Sequence, residues 1–280
     1  MSPTLAPHPW NDTFAWPDHR GPYRRVTPEQ ARAYDEQGFF VLEDAVDATT
    51  VAALTDAIEP FDREVMDFLA TRPDGRFSIA GVDTVSIALH PAARSAVCRD
   101  FCTSDLMADL CHDLVGPDAR LYWDQSVYKR PHGAEPVLWH QDNGYTYIEP
   151  QAYLTFWVAL TDATTENGCV QVLPGVHRTG TVAHRNTPIG FECVRDPDGA
   201  IEVPVRAGDA VVFSSLTPHA TGHNTTDAIR RAYIVQFAPA GAECLRGDPD
   251  AGPPVARDPQ DAADRQFPVL IAGQRPDSTR

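Results

Sequence analysis

The stretch VLWHQDNGYTY, residues 137–147, sets an imidazole and a carboxylate two positions apart in an aliphatic and aromatic run. Burying such groups without partners is costly, so the pair calls for a ligand. In an extended strand residues i and i+2 share a face, which sends His140 and Asp142 one way and Gln141 the other. Together they form a two-toothed clamp for a metal ion, and a third tooth must come from elsewhere. The segment AGDAVVFSSLTPHATGHNTTDAIRRAY, residues 207–233, offers it. GDAVVF reads as a turn and an apolar strand, and His219 falls just past the strand's expected end. Two histidines and one carboxylate are the facial triad that leaves positions of a ferrous ion open for substrates and O2. His223, in the polar turn, is the rival to His219.

Eleven residues beyond His219 (230 − 219 = 11) stands Arg230, after the turn HNTTD lets the chain reverse. The reversal can return its guanidinium to the metal, where it offers a two-pronged grip on a carboxylate. Arg231 leaves the strand on the opposite face, so only one of the two enters the interior. Open metal positions with an arginine anchor suit a 2-oxoacid: its keto and carboxylate oxygens chelate the metal and its far carboxylate meets the arginine. Gln125 and Lys129 are candidate contacts for this co-substrate. The bland alternative for Lys129 is a solvated surface lysine. Tyr128 is expected to line the cavity with Gln125. Trp139, Tyr145 and Trp157 are the candidate substrate pocket, with plain core as their alternative. His177 reads equally as a rim residue or a structural one, and His8, His19, His90, His112, His132 and His184 as surface or turn residues.

The elements that must hold these groups fall in two blocks. Residues 1–26 are rich in Pro and aromatics and read as an extended arm over a folded body. TPEQARAYDEQG then spells a helix: Thr27 caps, Pro28 suits the first turn, Gln30 completes a capping box and Gly38 ends it. FFVLEDAV then reads as a short buried strand. Val51, Leu54, Ile58, Val65, Phe68 and Leu69 recur at helical spacing, with Pro60 expected to bend or divide that helix. Residues 91–116 read as two further short helices. From 117 the chain becomes short strands punctuated by Gly, Pro, Asn and Asp, the mark of a β-sandwich or barrel. Too few helices exist to fold alone, so they are expected to pack on one sheet within a single domain spanning 1–280. Residues 241–280, rich in Pro, Asp and Arg, read as a loose tail.

The segments WHQD, ENGCVQVLPGVHRTG, AGDAVVFSSLTPHATGHN and RRAYIVQFAPA resemble the phytanoyl-CoA dioxygenase family, Fe(II)- and 2-oxoglutarate-dependent oxygenases. The resemblance covers about residues 28–240 and is specific from about 120 to 240. It implies a double-stranded β-helix (a cupin-like jelly roll), mainly β with flanking helices. It implies iron on His140, Asp142 and His219, and 2-oxoglutarate on Arg230 and Thr221. The family's NG turn matches Asn167 and Gly168, while Val176 stands where its LPGSH motif has Ser. Halogenases of the family lack the carboxylate, so Asp142 disfavours halogenation. The implied reaction is hydroxylation, or another oxidation, of a C–H bond with release of succinate and CO2.

Composition bounds the partners. The chain has 280 residues, 42% of them hydrophobic, and a formal net charge of -16. Lys129 is the sole lysine and no basic stripe exists, which disfavours nucleic acid. No apolar stretch is long enough to cross a bilayer, and no signal peptide is legible. The six cysteines form no C-x-x-C pair and read as reduced thiols of a cytoplasmic protein. With lysine so scarce an acyl thioester is disfavoured, and a small secondary metabolite is the expected substrate. Oligomeric state is not legible. The competing reading from another class is a non-catalytic, ligand-binding cupin barrel, which has no need of Arg230.

Overall fold

The computed structural model describes residues 5–133 and 135–276, so both extreme ends of the arm and tail lie outside the described residues. Helix α1 (Pro28–Gln37) starts as its capping box requires: the Gln30 amide donates to Thr27 Oγ1, and the Thr27 amide to Gln30 Oε1. It ends at Gly38, whose φ of 88° is left-handed. Helix α2 (Ala48–Ala70) runs unbroken through Pro60, contrary to the expected division. Leu54 and Ile58 before the proline and Leu69 after it are buried, so both halves are held by packing. Residues 91–116 fold as three helices rather than two: α3 (Pro91–Arg94), α4 (Ala96–Cys102) and α5 (Asp105–Leu114).

The strands that matter are β1 (Phe39–Leu42), β2 (Val85–Leu89), β3 (Ala119–Lys129), β4 (Val137–His140), β5 (Leu154–Ala159), β6 (Val170–Val172), β7 (Ile201–Val203), β8 (Ala210–Ser214), β9 (His219–Thr221), β10 (Arg230–Pro239) and β11 (Pro268–Leu270). A seven-stranded antiparallel sheet runs β1-β8-β5-β10-β3-β11, with β2 also on β3. Facing it is a four-stranded sheet, β7-β6-β9-β4. The two form the jelly roll that the strand pattern and the family resemblance lead one to expect.

Alternation along the strands divides the interior in two. Phe156, Val158, Val212, Tyr233, Val235 and Phe237 face the helices and form one core with Leu54, Ile58, Phe101 and Leu110. Trp157, Ala159, Val211, Phe213 and Ala232 face the other way, into the space between the sheets with Val170 and Val172. A sheet covered on both faces needs apolar residues at successive positions, which explains the unbroken hydrophobic runs of β5 and β8.

Through residue 276 the tail is not loose. Glu243–Arg246 and Ala256–Pro259 pair with each other, the former also with Ile148–Glu149, and β11 joins the large sheet beside Ala119 and Arg120. Gln266 is fully buried and donates to the Tyr122 carbonyl, so a polar residue anchors the strap that leads into β11. The arm does lie over the body: Trp16 enters the core, and Asp113 of α5 accepts the amides of Arg24, Arg25 and Val26. Burial alone would raise the Asp113 pKa; bonds from His112 and those amides reverse this and hold it low. The six cysteines are unpaired, and among the described residues no helix is long and apolar enough to cross a membrane.

Candidate metal centre

His140 ends β4 and His219 opens β9, and the two residues are direct cross-strand partners. His219 therefore starts its own strand in the smaller sheet instead of trailing the strand before it. Asp142 is not on a strand: β4 stops at His140 and a single helical turn, Asp142–Tyr145, begins. Extended backbone at Gln141 still turns the two side chains the same way (φ -100°, ψ 143°). Ligand atoms of His140, Asp142 and His219 all lie within 4.8 Å of one another. Asp142 Oδ1 is 3.8 Å from His140 Nε2 and 3.6 Å from His219 Nε2.

Each imidazole is oriented by its other nitrogen. His140 Nδ1 donates to the Leu138 carbonyl at 2.7 Å and His219 Nδ1 to that of Thr217 at 3.0 Å. A carbonyl can only accept, so the proton sits on Nδ1 and both Nε2 lone pairs face Asp142. Burial, and then the neighbouring His219, holds His140 well below the ordinary histidine pKa, in its neutral ligating form. Thr155 Oγ1 donates to Asp142 Oδ2 at 2.6 Å, leaving Oδ1 toward the rings. This donor set fits a divalent metal.

The turn bearing Asp142 is bracketed from behind. Gln141 projects away from the metal ligands, as expected, and its amide donates to the carbonyls of Gly180 and Leu216 while accepting from Val182 N. Gln141 N donates to His184 Nε2 at 2.9 Å, and Asn143 Nδ2 to Thr181 Oγ1 at 2.7 Å. Gly144 packs against the His184 ring, where a Cβ would overlap it. The 179–184 segment is tied in turn to the arm, through His8 N to Thr181 O and Asn11 Nδ2 to the carbonyls of Thr179 and Thr181. His184 is thus no mere turn residue. Its pKa, pushed down to about 4 chiefly by burial, keeps the acceptor nitrogen free.

A cavity of about 310 Å³ opens over the triad. Arg230 reaches it from the start of β10 and is fully buried; Arg231 points out over Tyr128. The guanidinium lies 5.3 Å from the Trp157 ring and has one long bond, Nη1 to the Val127 carbonyl at 3.4 Å. Its Nε and Nη2 have no partner, nor does Thr221 Oγ1 in the same cavity. Burial pushes its pKa down to about 10. Unpaired buried donors cost about 1–3 kcal/mol each, more when charged, and a carboxylate would satisfy all three. The residues present therefore fit a bound 2-oxoacid.

The remaining expected residues divide. Gln125, Tyr145 and Trp157 line the cavity. Lys129 does not, and is no surface lysine either: it is buried, and its ammonium is held by the carbonyls of Thr221, Gly222 and Glu135. Burial and the Arg230 charge push its pKa down to about 7. Trp139 is not part of the cavity wall: the β4–β9 register slips between His140 and Val137, and those two residues line the cavity instead. Tyr128 lies in the helix-facing core, three residues and so an odd step from Gln125. His223 is exposed and outside the triad. His177 is structural: buried, with Nε2 bonded to the Asp35 carbonyl and its ring against Trp16. Gly168 of the NG turn has a φ of 81°, and a side chain there would strike the Gly222 carbonyl, so the turn packs under β9. Residue types alone missed Thr155, Gln236, Tyr122 and Tyr153, all in the cavity wall. Thr155 was within reach, since it sits two positions before inward-facing Trp157.

Jelly roll and triad together define a metal-dependent oxygenase scaffold. The family model for phytanoyl-CoA dioxygenase (PhyH) matches residues 34–232, and the chain belongs to that family. It is by class a non-haem dioxygenase that uses iron, 2-oxoglutarate and O2. Among its relatives is phytanoyl-CoA dioxygenase domain-containing protein 1 of Bos taurus, 36% identical over 126 residues. That alignment spans 41% of this chain and 43% of the bovine protein. A probable alpha-ketoglutarate-dependent hypophosphite dioxygenase of Stutzerimonas stutzeri is 24% identical over 232 residues, 78% of this chain and 81% of that one. The crystal structure of SnoK, a non-heme alpha ketoglutarate dependent carbocyclase from nogalamycin biosynthesis, superposes with a TM-score of 0.68 at 27% identity. The match covers 88% of this chain and 97% of SnoK.

Proposed function

We propose that the chain, acting as one domain, oxidises a C–H bond of a small natural product, with hydroxylation as the basic outcome. His140, Asp142 and His219 hold the iron, and Arg230 with Thr221 holds the far carboxylate of 2-oxoglutarate. The observation that carries this is Arg230: a fully buried guanidinium, unpaired, in the same cavity as three converged metal-ligand atoms. A barrel that merely bound metal would have no use for a charge so costly to bury.

Iron loaded with 2-oxoglutarate and O2 supplies an oxidant able to break a C–H bond, one oxygen atom entering the product and the other the succinate released with CO2. The protein contributes position and shelter. Leu138 and Thr217 carbonyls fix the rings, Thr155 fixes the Asp142 carboxylate, and Trp157 walls the Arg230 pocket from water. Lys129 ties the Thr221–Gly222 backbone to β3 and adds positive potential beside Arg230. SnoK, at 27% identity over nearly its whole length, is the support for a natural-product substrate.

The test is anaerobic addition of Fe(II) and 2-oxoglutarate, followed by O2. A weak visible charge-transfer band and slow succinate release are expected from the wild type, and neither from Arg230→Met at the same 2-oxoglutarate concentration. A wild-type protein that binds metal but gives no band and no succinate would return the chain to the non-catalytic binding class.

A further inference from the structure

Resting on that reading, the end of the cavity remote from Arg230 describes the substrate. Along β10, Gln236 stands six residues from Arg230 (236 − 230 = 6), about 20 Å at strand rise. Gln125 faces Ile234 across the β3–β10 ladder and Gln236 faces Trp123. Both amides line the cavity, beyond the arginine pocket.

Their orientations are fixed by partners that can act only one way. Trp123 Nε1 can only donate, and it does so to Gln125 Oε1 at 3.0 Å, so the amino group of Gln125 is left over. The Thr155 hydroxyl gives its proton to Asp142, so toward Gln236 it must accept, and Gln236 Nε2 donates to it at 3.3 Å. The carbonyl oxygen of Gln236 is left over. One free donor and one free acceptor thus sit on neighbouring strands, the acceptor a single side chain away from the carboxylate of the metal triad. Around them stand Tyr122, Trp123 and Tyr153. Burial raises the pKa of both tyrosines, so they remain uncharged. Among the described residues, this half of the cavity carries no charged side chain apart from Asp142. With Asp142 engaged by the metal, an anion placed here would lose its hydration and find no side-chain cation to replace it.

We propose that the prime substrate is an uncharged, ring-bearing hydroxyketone, its carbonyl oxygen taken by Gln125 and its hydroxyl by Gln236. Phosphonates, phosphinates and carboxylates are disfavoured by the same wall, which offers their charge no side-chain partner. The acceptor–donor pair orients the ring over the triad, and the aromatic side chains supply the affinity.

Equilibrium dialysis of the anaerobic Fe(II)·2-oxoglutarate protein tests this with two probes of the same ring skeleton, 5-hydroxy-1-tetralone and 1-tetralone-5-carboxylate. The neutral probe is expected to bind at least about tenfold tighter, one net hydrogen bond or more. Gln125→Glu, which keeps shape but turns the donor into an acceptor, and Gln236→Leu should each weaken it by about tenfold. The charge-transfer band is read in every sample. If the band is present but the carboxylate binds as well as the hydroxyketone, or neither binds, the substrate class is wrong while the oxygenase reading stands. If Gln125→Glu weakens the band and leaves the probe unaffected, Gln125 belongs to 2-oxoglutarate and the proposal fails. Absence of the band from wild type would instead overturn the proposed function.

Discussion

Two arginines that lie at the same end of the β3–β10 ladder are buried differently. Arg130, just past β3, meets Asp62 of α2 at 2.6 and 2.7 Å and Ser86 of β2 at 2.7 Å. Arg230, paired with Lys129 in the ladder, is buried more completely and, among the described residues, meets no carboxylate. The helix layer thus neutralises the cation it uses for construction. The barrel leaves its cation bare, with a buried lysine beside it that worsens the repulsion. A fold that tolerates this uncompensated charge is keeping a place for an anion that comes and goes.

The contrast can be broken by substitution. The largest effect belongs to neither arginine: Asp142→Ala should reduce succinate release to background with the circular dichroism spectrum unchanged, and full activity in that variant would refute the ligand set. Next comes the pair itself. Arg130→Met strands Asp62 in the core and should lower stability by about 3–5 kcal/mol in urea titrations. Arg230→Met should leave the ligand-free protein as stable as before, or more so, while weakening 2-oxoglutarate about a hundredfold for the loss of a buried bidentate pair. Equal destabilisation by both would show that Arg230 is structural. His184→Ala should weaken metal binding about 10- to 100-fold, the range for residues that orient ligands from behind. Competition with a chelator measures it, and an unchanged metal affinity would remove His184 from the bracket.

The smallest effect lies with Lys129. Its folded pKa is lowered to about 7 from the ordinary 10.5, so between those values the unfolded chain binds more protons than the folded one. Stability contributed by this group therefore rises as pH increases from about 7 toward 10.5, and below pH 7 the full burial cost remains. Melting curves across that window should flatten in Lys129→Met; an identical pH slope would mean the lysine is charged throughout.

Much of this was legible in the residues. The capping box of α1, the order of helices before strands, and His140, Asp142, His219 and Arg230 all depend on short-range chemistry or fixed spacing. What escaped has physical reasons. β11 and the strands at 243–259 have little hydrophobic period, because partners distant in sequence hold them. Pro60 is a strong local breaker overruled by packing. Lys129 reads as a surface residue because only the folded chain brings three carbonyls to it. Trp139 escaped because a register slip in β4 breaks simple alternation there, whereas Tyr128 is another matter: alternation already placed it on the face opposite Gln125.

The pairing of His140 with His219 has a mechanical consequence. These residues are 79 positions apart (219 − 140 = 79), and a single ion shared by their rings would act as a removable rivet closing that long loop. At an ion concentration a thousand times the dissociation constant, the rivet adds about 4 kcal/mol against unfolding. Chelation should therefore loosen β4 and β9 first, and their backbone amides should be the earliest in the barrel to take up deuterium.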